Sequence, residues 1–223
     1  SSPWSNAPSA GATGINSVDY AASLPAGNFF WANSAATFNQ TSNFTLSVWL
    51  KPDSACIASA ECIIANKESS WEYAIRSGTL QYALTNSAGS WAWYGTGIQF
   101  RAGVWQHLSI ALTRTSNTIT VFYNGVQAFS TTNATTVPTS GYATTLPFGV
   151  GARHFSGTWG SFYSGQIDEF RLYNTSNATS AAAKSDMNTW GPANKSGLVA
   201  YYDFNEGTST TINNTVTSPA SGT

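Results

Sequence analysis

The sequence predicts an all-β protein, two antiparallel sheets packed as a sandwich with one short helix near the C-terminus. Three observations predict it. Short runs of alternating apolar and polar residues recur along the chain, the period-two signature of half-buried strands. Turn signals separate the runs, among them Ser77-Gly78 and Asn124-Gly125; the second dipeptide is the strongest short-range hairpin signal. Nine Trp, ten Tyr and twelve Phe stand against a single Met, a selection that favours strands.

The elements follow in order. Residues 1–14 (SSPWSNAPSAGATG) are small, polar and Pro-containing, and read as a linker or loose arm. FTLSVWLKP (44–52) sets Phe44, Leu46, Val48 and Leu50 against Thr45, Ser47, Trp49 and Lys51. Pro52 ends that strand, and DSACIASAE is expected as a loop. CIIANK (62–67), WEYAIRSG (71–78) and TLQYALTN (79–86) are the next strands, the last two joined as a hairpin. VWQHLSIALTR (104–114) alternates, and TITVFYNGVQAFST (118–131) folds back at Asn124-Gly125. LPFGVGA (146–152), GQIDEFRLYN (165–174) and GLVAYYDFN (197–205) complete the set. SAAAKSDMN (180–188) is the helix, with Ser180 as its expected cap and three alanines at its start. Neither an internal repeat nor a central linker interrupts the series. One domain is expected over 15–207, with 208–223 as a C-terminal loop or linker. The 223 residues can bury a substantial core without metals or many disulfides.

Only 9% of residues are charged, against roughly 25% in an average soluble domain. Ser, Thr and Asn make up about a third of the chain, so neutral polar groups keep it soluble, as suits an exported protein. A net charge of −1 with no Lys/Arg cluster argues against nucleic acid and anionic lipid as partners. No apolar run reaches the roughly 18 residues of a membrane span. The chain starts in polar sequence with no signal peptide and reads as a processed or excised piece of something larger. Cys56 and Cys62 are separated by five residues with no His nearby, which is not zinc or redox spacing. A small disulfide-closed loop is expected in preference to two half-buried thiols. It implies an oxidising compartment, hence a secreted or cell-surface location.

Two segments carry aromatic residues where a loop is expected. SWAWYGTG (90–97) offers Trp91, Trp93 and Tyr94; ARHFSGTWGSFYSG (152–165) offers Arg153, His154, Phe155, Trp159, Phe162 and Tyr163. Trp71 is expected to add a third wall. Sugars present apolar C–H faces and rings of hydroxyls, so a site for them needs flat aromatic platforms beside polar groups that fix orientation. Aromatics in long loops also fold back as caps over a sandwich, and Trp49, Trp105 and Trp190 are assigned to packing. Catalysis is not expected. No two of the ten acids stand two apart on one strand face, and no Gly-x-Ser-x-Gly elbow occurs. Glu68 and Glu72, four apart across a Ser-rich turn, are the one acid pair that could face a groove.

Taken in sequence, FTLSVWLKP, AGVWQHLSIALTR, TVFYNGVQ, GQIDEFRLYN and GLVAYYDFNEG resemble the laminin-G-like family of concanavalin A-like lectin/glucanase jelly rolls, which also resembles the pentraxins. The matching positions run from about Val18 to Gly207. The resemblance implies a jelly roll in which Trp105-x-His107 is a packing element, so His107 is structural. It implies a structural calcium (Ca2+) held by Asp168 on a late strand, with Asp19 near the first strand and carbonyls from around Asn16 and Asn43; hydrogen bonding of Asp168 to backbone amides or pairing with Arg171 is the alternative. Asp168 and Glu169 are expected to face opposite sides of their strand. Together with the aromatic loops, the resemblance implies a carbohydrate-binding module of a larger surface or secreted protein, with a glycan or polysaccharide as partner. A protein-binding or structural spacer domain in an adhesin-like protein, facing a cell-surface protein, is the second reading.

Overall fold

The computed structural model describes residues 21–25, 27–32, 36–191, 196–206 and 212–216. Fifteen strands and two helices follow one another among them. The first half contains β1 (Ala22–Leu24), β2 (Phe30–Ala32), β3 (Phe44–Pro52), α1 (Ser54–Ala58), β4 (Cys62–Lys67), β5 (Trp71–Arg76), β6 (Thr79–Leu84) and β7 (Trp93–Gln99). The second half contains β8 (Gln106–Thr113), β9 (Thr118–Tyr123), β10 (Val126–Thr132), β11 (Phe148–Val150), β12 (Arg153–Phe155), β13 (Thr158–Gly160), β14 (Gly165–Tyr173), α2 (Ser180–Met187) and β15 (Leu198–Tyr202).

Two antiparallel sheets form the sandwich. The first runs β1-β14-β3-β8-β9-β10, with β15 continuing along the β14 edge that β1 begins. The second runs β2-β11-β4-β5-β6-β7. The hairpin β12-β13 stands apart from both. Strand parity decides what lies between the sheets. Leu46, Val48 and Leu50 on β3 and Leu108, Ile110 and Leu112 on β8 meet Trp71, Tyr73 and Ile75 on β5 and Leu80, Tyr82 and Leu84 on β6 in one apolar cluster. Aromatic pairs cross that layer: Phe38 stacks on Phe148 at 4.4 Å, and Phe44 meets Trp71 at 5.6 Å. The all-β sandwich predicted from the periodicity is therefore the fold found.

Four local features refine the sequence expectations. The segment expected as a loop after Pro52 contains α1, capped by Asp53, whose carboxylate accepts the Cys56 N–H at 2.8 Å. The disulfide Cys56–Cys62 then ties α1 to the first residue of β4, as the spacing predicted. α2 is capped by Thr179 rather than Ser180; the Thr179 hydroxyl accepts the Ala182 N–H at 3.1 Å. Asp168 and Glu169 do not face opposite sides in the expected way. A bulge interrupts the β14-β3 ladder between Asp168 and Arg171, Glu169 takes φ +52°, and both carboxylates are buried. An extra residue at a bulge breaks the alternation on which that expectation rested.

The outer face of the first sheet is polar but closed. Arg171 pairs with Glu169 and donates to the Thr189 carbonyl at 2.7 Å, while the Tyr201 hydroxyl donates to Glu169 at 2.6 Å and the Tyr173 hydroxyl to Asp186 at 2.8 Å. These bonds tie β14, β15 and α2 together. His107 is wholly buried, with Nε2 3.0 Å from the Ser47 hydroxyl and its ring edge against Trp49; it packs, as expected. Residues 212–216 are also held, since the Asn214 side-chain oxygen accepts the Tyr201 N–H at 3.0 Å and Thr215 N–H reaches the Tyr201 carbonyl. Eight of the nineteen charged side chains are taken inside. Lys67, Glu68, Glu72, Arg114, Asp168, Glu169, Arg171 and Asp186 are all buried.

Candidate functional site

The outer face of the second sheet is built by one register. Trp31, Gly149, Asn66, Glu72, Ala83 and Trp93 are successive cross-strand partners on β2, β11, β4, β5, β6 and β7. Facing pairs share a side of the sheet, so a tryptophan stands at each end of this row, with Asn66 and Glu72 between. The five inter-strand steps span about 24 Å at about 4.8 Å each. A neighbouring row runs Ile63, Ala74, Gln81 and Gly95. The small side chains at Ala74, Ala83, Gly95 and Gly149 leave room above the sheet.

The hairpin β12-β13 fills part of that room. Its turn is Ser156-Gly157, both with positive φ, the two-residue geometry that suits right-twisted strands. Cross-strand pairing sets His154 beside Trp159, ring centroids 4.9 Å apart. Trp159 lies over Gly149, where an added Cβ would come 2.5 Å from the indole and 2.9 Å from the Ala152 carbonyl oxygen. Trp159 also meets Phe29 at 4.6 Å and Trp31 at 6.3 Å. The His154 N–H donates to the Asn66 side-chain oxygen at 3.0 Å, which pins the hairpin to β4.

Arg153 reaches from the same hairpin across the sheet. Its guanidinium lies 4.9 Å from the Phe155 ring centre and 5.1 Å from that of Trp91, in cation–π contact with both. It donates to both oxygens of Glu68, at 2.9 and 3.1 Å, and stands 3.2 Å from Glu72 and 3.5 Å from Glu61. Arg76 lies over Trp93 at 4.9 Å and pairs with Glu61 at 3.5 Å. Trp91 and Trp93 meet edge to face at 6.2 Å. Three glutamates, two arginines and the rings of Phe155, Trp91 and Trp93 thus form one connected array beside Trp159 and Trp31.

Burial and proximity shape the protonation of this array. Desolvation, reinforced by the negative charge of Glu68, pushes the Glu72 carboxyl up to about 8, with Arg153 pulling the other way. Arg153 is burdened by burial, but the hydrogen-bonded Glu68 and the charges of Glu72 and Glu61 hold its guanidinium above the ordinary value. The folded chain therefore keeps a proton on Glu72 that the unfolded chain gives up near 4.5. Between those values unfolding releases a proton, so stability falls as the pH rises from about 5 to 8. Glu72→Gln is expected to flatten that decline and to raise stability at pH 8 by on the order of 1–3 kcal/mol, read from urea unfolding at pH 5 and pH 8. An unchanged pH slope in the variant would contradict this reading.

The structure sorts the residues proposed from sequence. Trp91, Trp93, Arg153, His154 and Trp159 come together on this face. Trp71 does not; it is 1% exposed, and its indole N–H donates to the Phe38 carbonyl at 2.7 Å inside the sandwich. Parity on β5 explains it: Trp71, Tyr73 and Ile75 point in, while Glu72, Ala74 and Arg76 point out. Tyr94, next to Trp93, takes the opposite face and packs on Tyr82 at 5.6 Å. Tyr163 is fully buried, its hydroxyl donating to the Gln166 carbonyl at 3.2 Å, and desolvation drives its phenol well above the usual range. Sequence reasoning passed over Trp31 and Arg76. The run Phe29-Phe30-Trp31 and the outward parity of WEYAIR were signals for both.

The residues expected around calcium are placed differently. Asn16 and Asp19 lie outside the described residues. Asn43 immediately precedes β3, whereas Asp168 pairs with Trp49, about 20 Å away at about 3.3 Å per strand residue. The Asn43 side-chain oxygen accepts the Arg114 N–H at 2.7 Å, and Asp168 accepts the Glu169 N–H at 2.8 Å. Asn43 and Asp168 do not fit a single ion, and no group of three or more His, Cys, Asp or Glu is arranged to hold a metal among the described residues. No helix among them is long and apolar enough to cross a membrane.

Comparison with known proteins bears on the fold and on this face. A laminin G family model, described as the concanavalin A-like lectin/glucanases superfamily, matches residues 25–182. No curated protein matches the chain. Among solved structures, a Bacteroides ovatus protein with a provisional carbohydrate-binding label is 17% identical with a TM-score of 0.56, over 82% of this chain and 48% of that one. The chain thus spans about half of that protein. The CBM40 module of a Ruminococcus gnavus IT-sialidase is 14% identical with a TM-score of 0.60, over 74% of this chain and 96% of the module. The same module, bound to α2,3 sialyllactose, is matched at 12% identity and a TM-score of 0.57, over 74% of this chain and 95% of that one. A heptameric SAP-like pentraxin from Limulus polyphemus is 15% identical with a TM-score of 0.51, over 81% of this chain and 90% of that one. At such identities these likenesses show the fold alone.

Proposed function

The chain belongs to the concanavalin A-like lectin/glucanase superfamily, and from that premise we propose that it is a carbohydrate-binding module of a secreted or cell-surface protein, using the outer face of the β2–β7 sheet. The observation that carries the reading is the aromatic array on that face. Trp31, Phe155 and Trp91 are 57%, 56% and 41% exposed, and Trp93 and Trp159 are half-buried beside them. Large apolar surfaces gathered on one face are uncommon on a protein that binds nothing. Rings held by neighbours are preorganised, so stacking a sugar on them costs little conformational freedom. Arg153, itself locked by Glu68, contacts both Trp91 and Phe155 and so stiffens them. Asn66, Gln81 and the glutamates supply the polar groups that would orient hydroxyls.

The disulfide and the low surface charge support an extracellular setting. The carbohydrate-binding labels and ligand of the matched structures support the choice of ligand class. The test is a glycan array followed by calorimetry on the best ligand. Trp91→Ala and Phe155→Ala are each expected to weaken binding about tenfold or more, the equivalent of about 1.4 kcal/mol, with only a small change in melting temperature because both rings lie on the surface outside the sandwich core. Binding that survives both substitutions at full strength would place the site elsewhere on the protein.

A further inference from the structure

Every cation that touches the aromatic rings of this face is already matched by a carboxylate. Arg153 is held by Glu68, Glu72 and Glu61, and Arg76 by Glu61. Glu72 keeps its proton at neutral pH, so the carboxylates of Glu61 and Glu68 balance the two arginines and leave no positive charge over. Both Arg153 contacts to Glu68 come from the edge of the guanidinium, whose central carbon lies 5.1 Å from the Trp91 ring centre and 4.9 Å from that of Phe155. A planar guanidinium offers further groups only along its rim, and here Glu68, Glu61 and Glu72 line that rim. The His154 ring packs edge-on against Trp159. Lys67, although on β4, belongs to the inward row with Trp71 and Phe148, and its ammonium group bonds the Leu146 carbonyl.

From this matching we propose that the site selects neutral glycans and rejects sugars that carry a carboxylate or sulfate, so that its ligand class differs from the sialylated ligand of the CBM40 module. The inference rests on the carbohydrate-binding reading above and narrows it. Recognition of an acidic sugar needs a guanidinium or ammonium with donors to spare. Here an incoming anion would have to displace Glu68 or Glu61 from Arg153, leaving a buried carboxylate unpaired, which is costly. A neutral ring meets no such penalty. It can lie on Trp91 or Phe155 while its hydroxyls donate to the outer oxygens of the glutamates. Rejection therefore comes from like charge placed against the wrong ligand, as selective sites commonly arrange it.

The experiment is a glycan array of matched pairs, each a neutral oligosaccharide and the same structure carrying a terminal sialic acid, a uronic acid or a sulfate. The best pair is then titrated by calorimetry. The expected result is binding of neutral members, with affinity lower by about tenfold or more in the acidic partners. The double variant Glu61→Gln/Glu68→Gln frees charge on Arg153 and Arg76 and keeps amide groups in the same places. It is expected to narrow the gap to about threefold or reverse it, with circular dichroism confirming the fold. Binding confined to acidic members, or equal binding of both, would overturn the charge inference and leave the carbohydrate reading standing. Binding of no member of the array would overturn both.

Discussion

Arg153→Ala is expected to lower folding stability by about 3–5 kcal/mol, the scale for removing one partner of a buried ionic group. The side chain is only 12% exposed and it faces Glu61, Glu68 and Glu72 at once. Without it, the Glu61 and Glu68 carboxylates and the protonated Glu72 crowd together with Arg76 alone to balance them, and Trp91 and Phe155 lose the guanidinium that both contact. Urea unfolding at pH 7 measures the loss. Arg153→Lys keeps the charge but not the fork that grips both Glu68 oxygens, and should fall between the two. A loss under about 1 kcal/mol in the alanine variant, the scale of an exposed ion pair, would mean that solvent reaches the cluster freely.

The second large effect is expected at Gly165→Ala, where β14 begins against the end of β3. Gly165 has φ +140°, and an added Cβ would meet the Lys51 carbonyl oxygen, the Pro52 Cα at 2.9 Å and the Asp53 N at 3.1 Å. All three are backbone atoms, so no side chain can swing aside. The strands would have to part at that end, and the same strain would reach the Asp53 cap of α1. A cost of about 3 kcal/mol or more corresponds to a melting temperature lower by about 6–12 °C in a chain of this size. Gly157→Ala is the control, since its Cβ would meet nothing within 4 Å and only the φ of +81° opposes it; about 1 kcal/mol is expected there. Equal losses at the two sites would remove close backbone approach as the cause.

Much of the sandwich was legible in the sequence because period-two patterning acts residue by residue. Every run from FTLSVWLKP to GLVAYYDFN became a strand, and Asn124-Gly125 turned where expected. β7 was hidden because Gly95 and Gly97 dilute its apolar pattern, and because half of an edge strand faces solvent. The β12-β13 hairpin was hidden by brevity, although Ser156-Gly157 is the same dipeptide as the Ser77-Gly78 turn already recognised. The site was half legible. Aromatic enrichment pointed to Trp91, Trp93 and Trp159, but the alternation of WEYAIR, not applied to Trp71, assigns it to the core. The convergence of Glu61, Glu68, Glu72, Arg76 and Arg153 comes from sheet order and from a hairpin folding over β11. Residues 92 positions apart, as Glu61 and Arg153 are, leave no local pattern to read.

The near balance of nine basic and ten acidic side chains, with eight of the nineteen buried, has a kinetic corollary. Little net field extends into solvent, so diffusional encounter with a partner proceeds without long-range attraction. Association rates should then stay nearly constant from low to high ionic strength, where a strongly charged protein would slow by orders of magnitude. Such a molecule would capture its ligand as readily in brine as in fresh water.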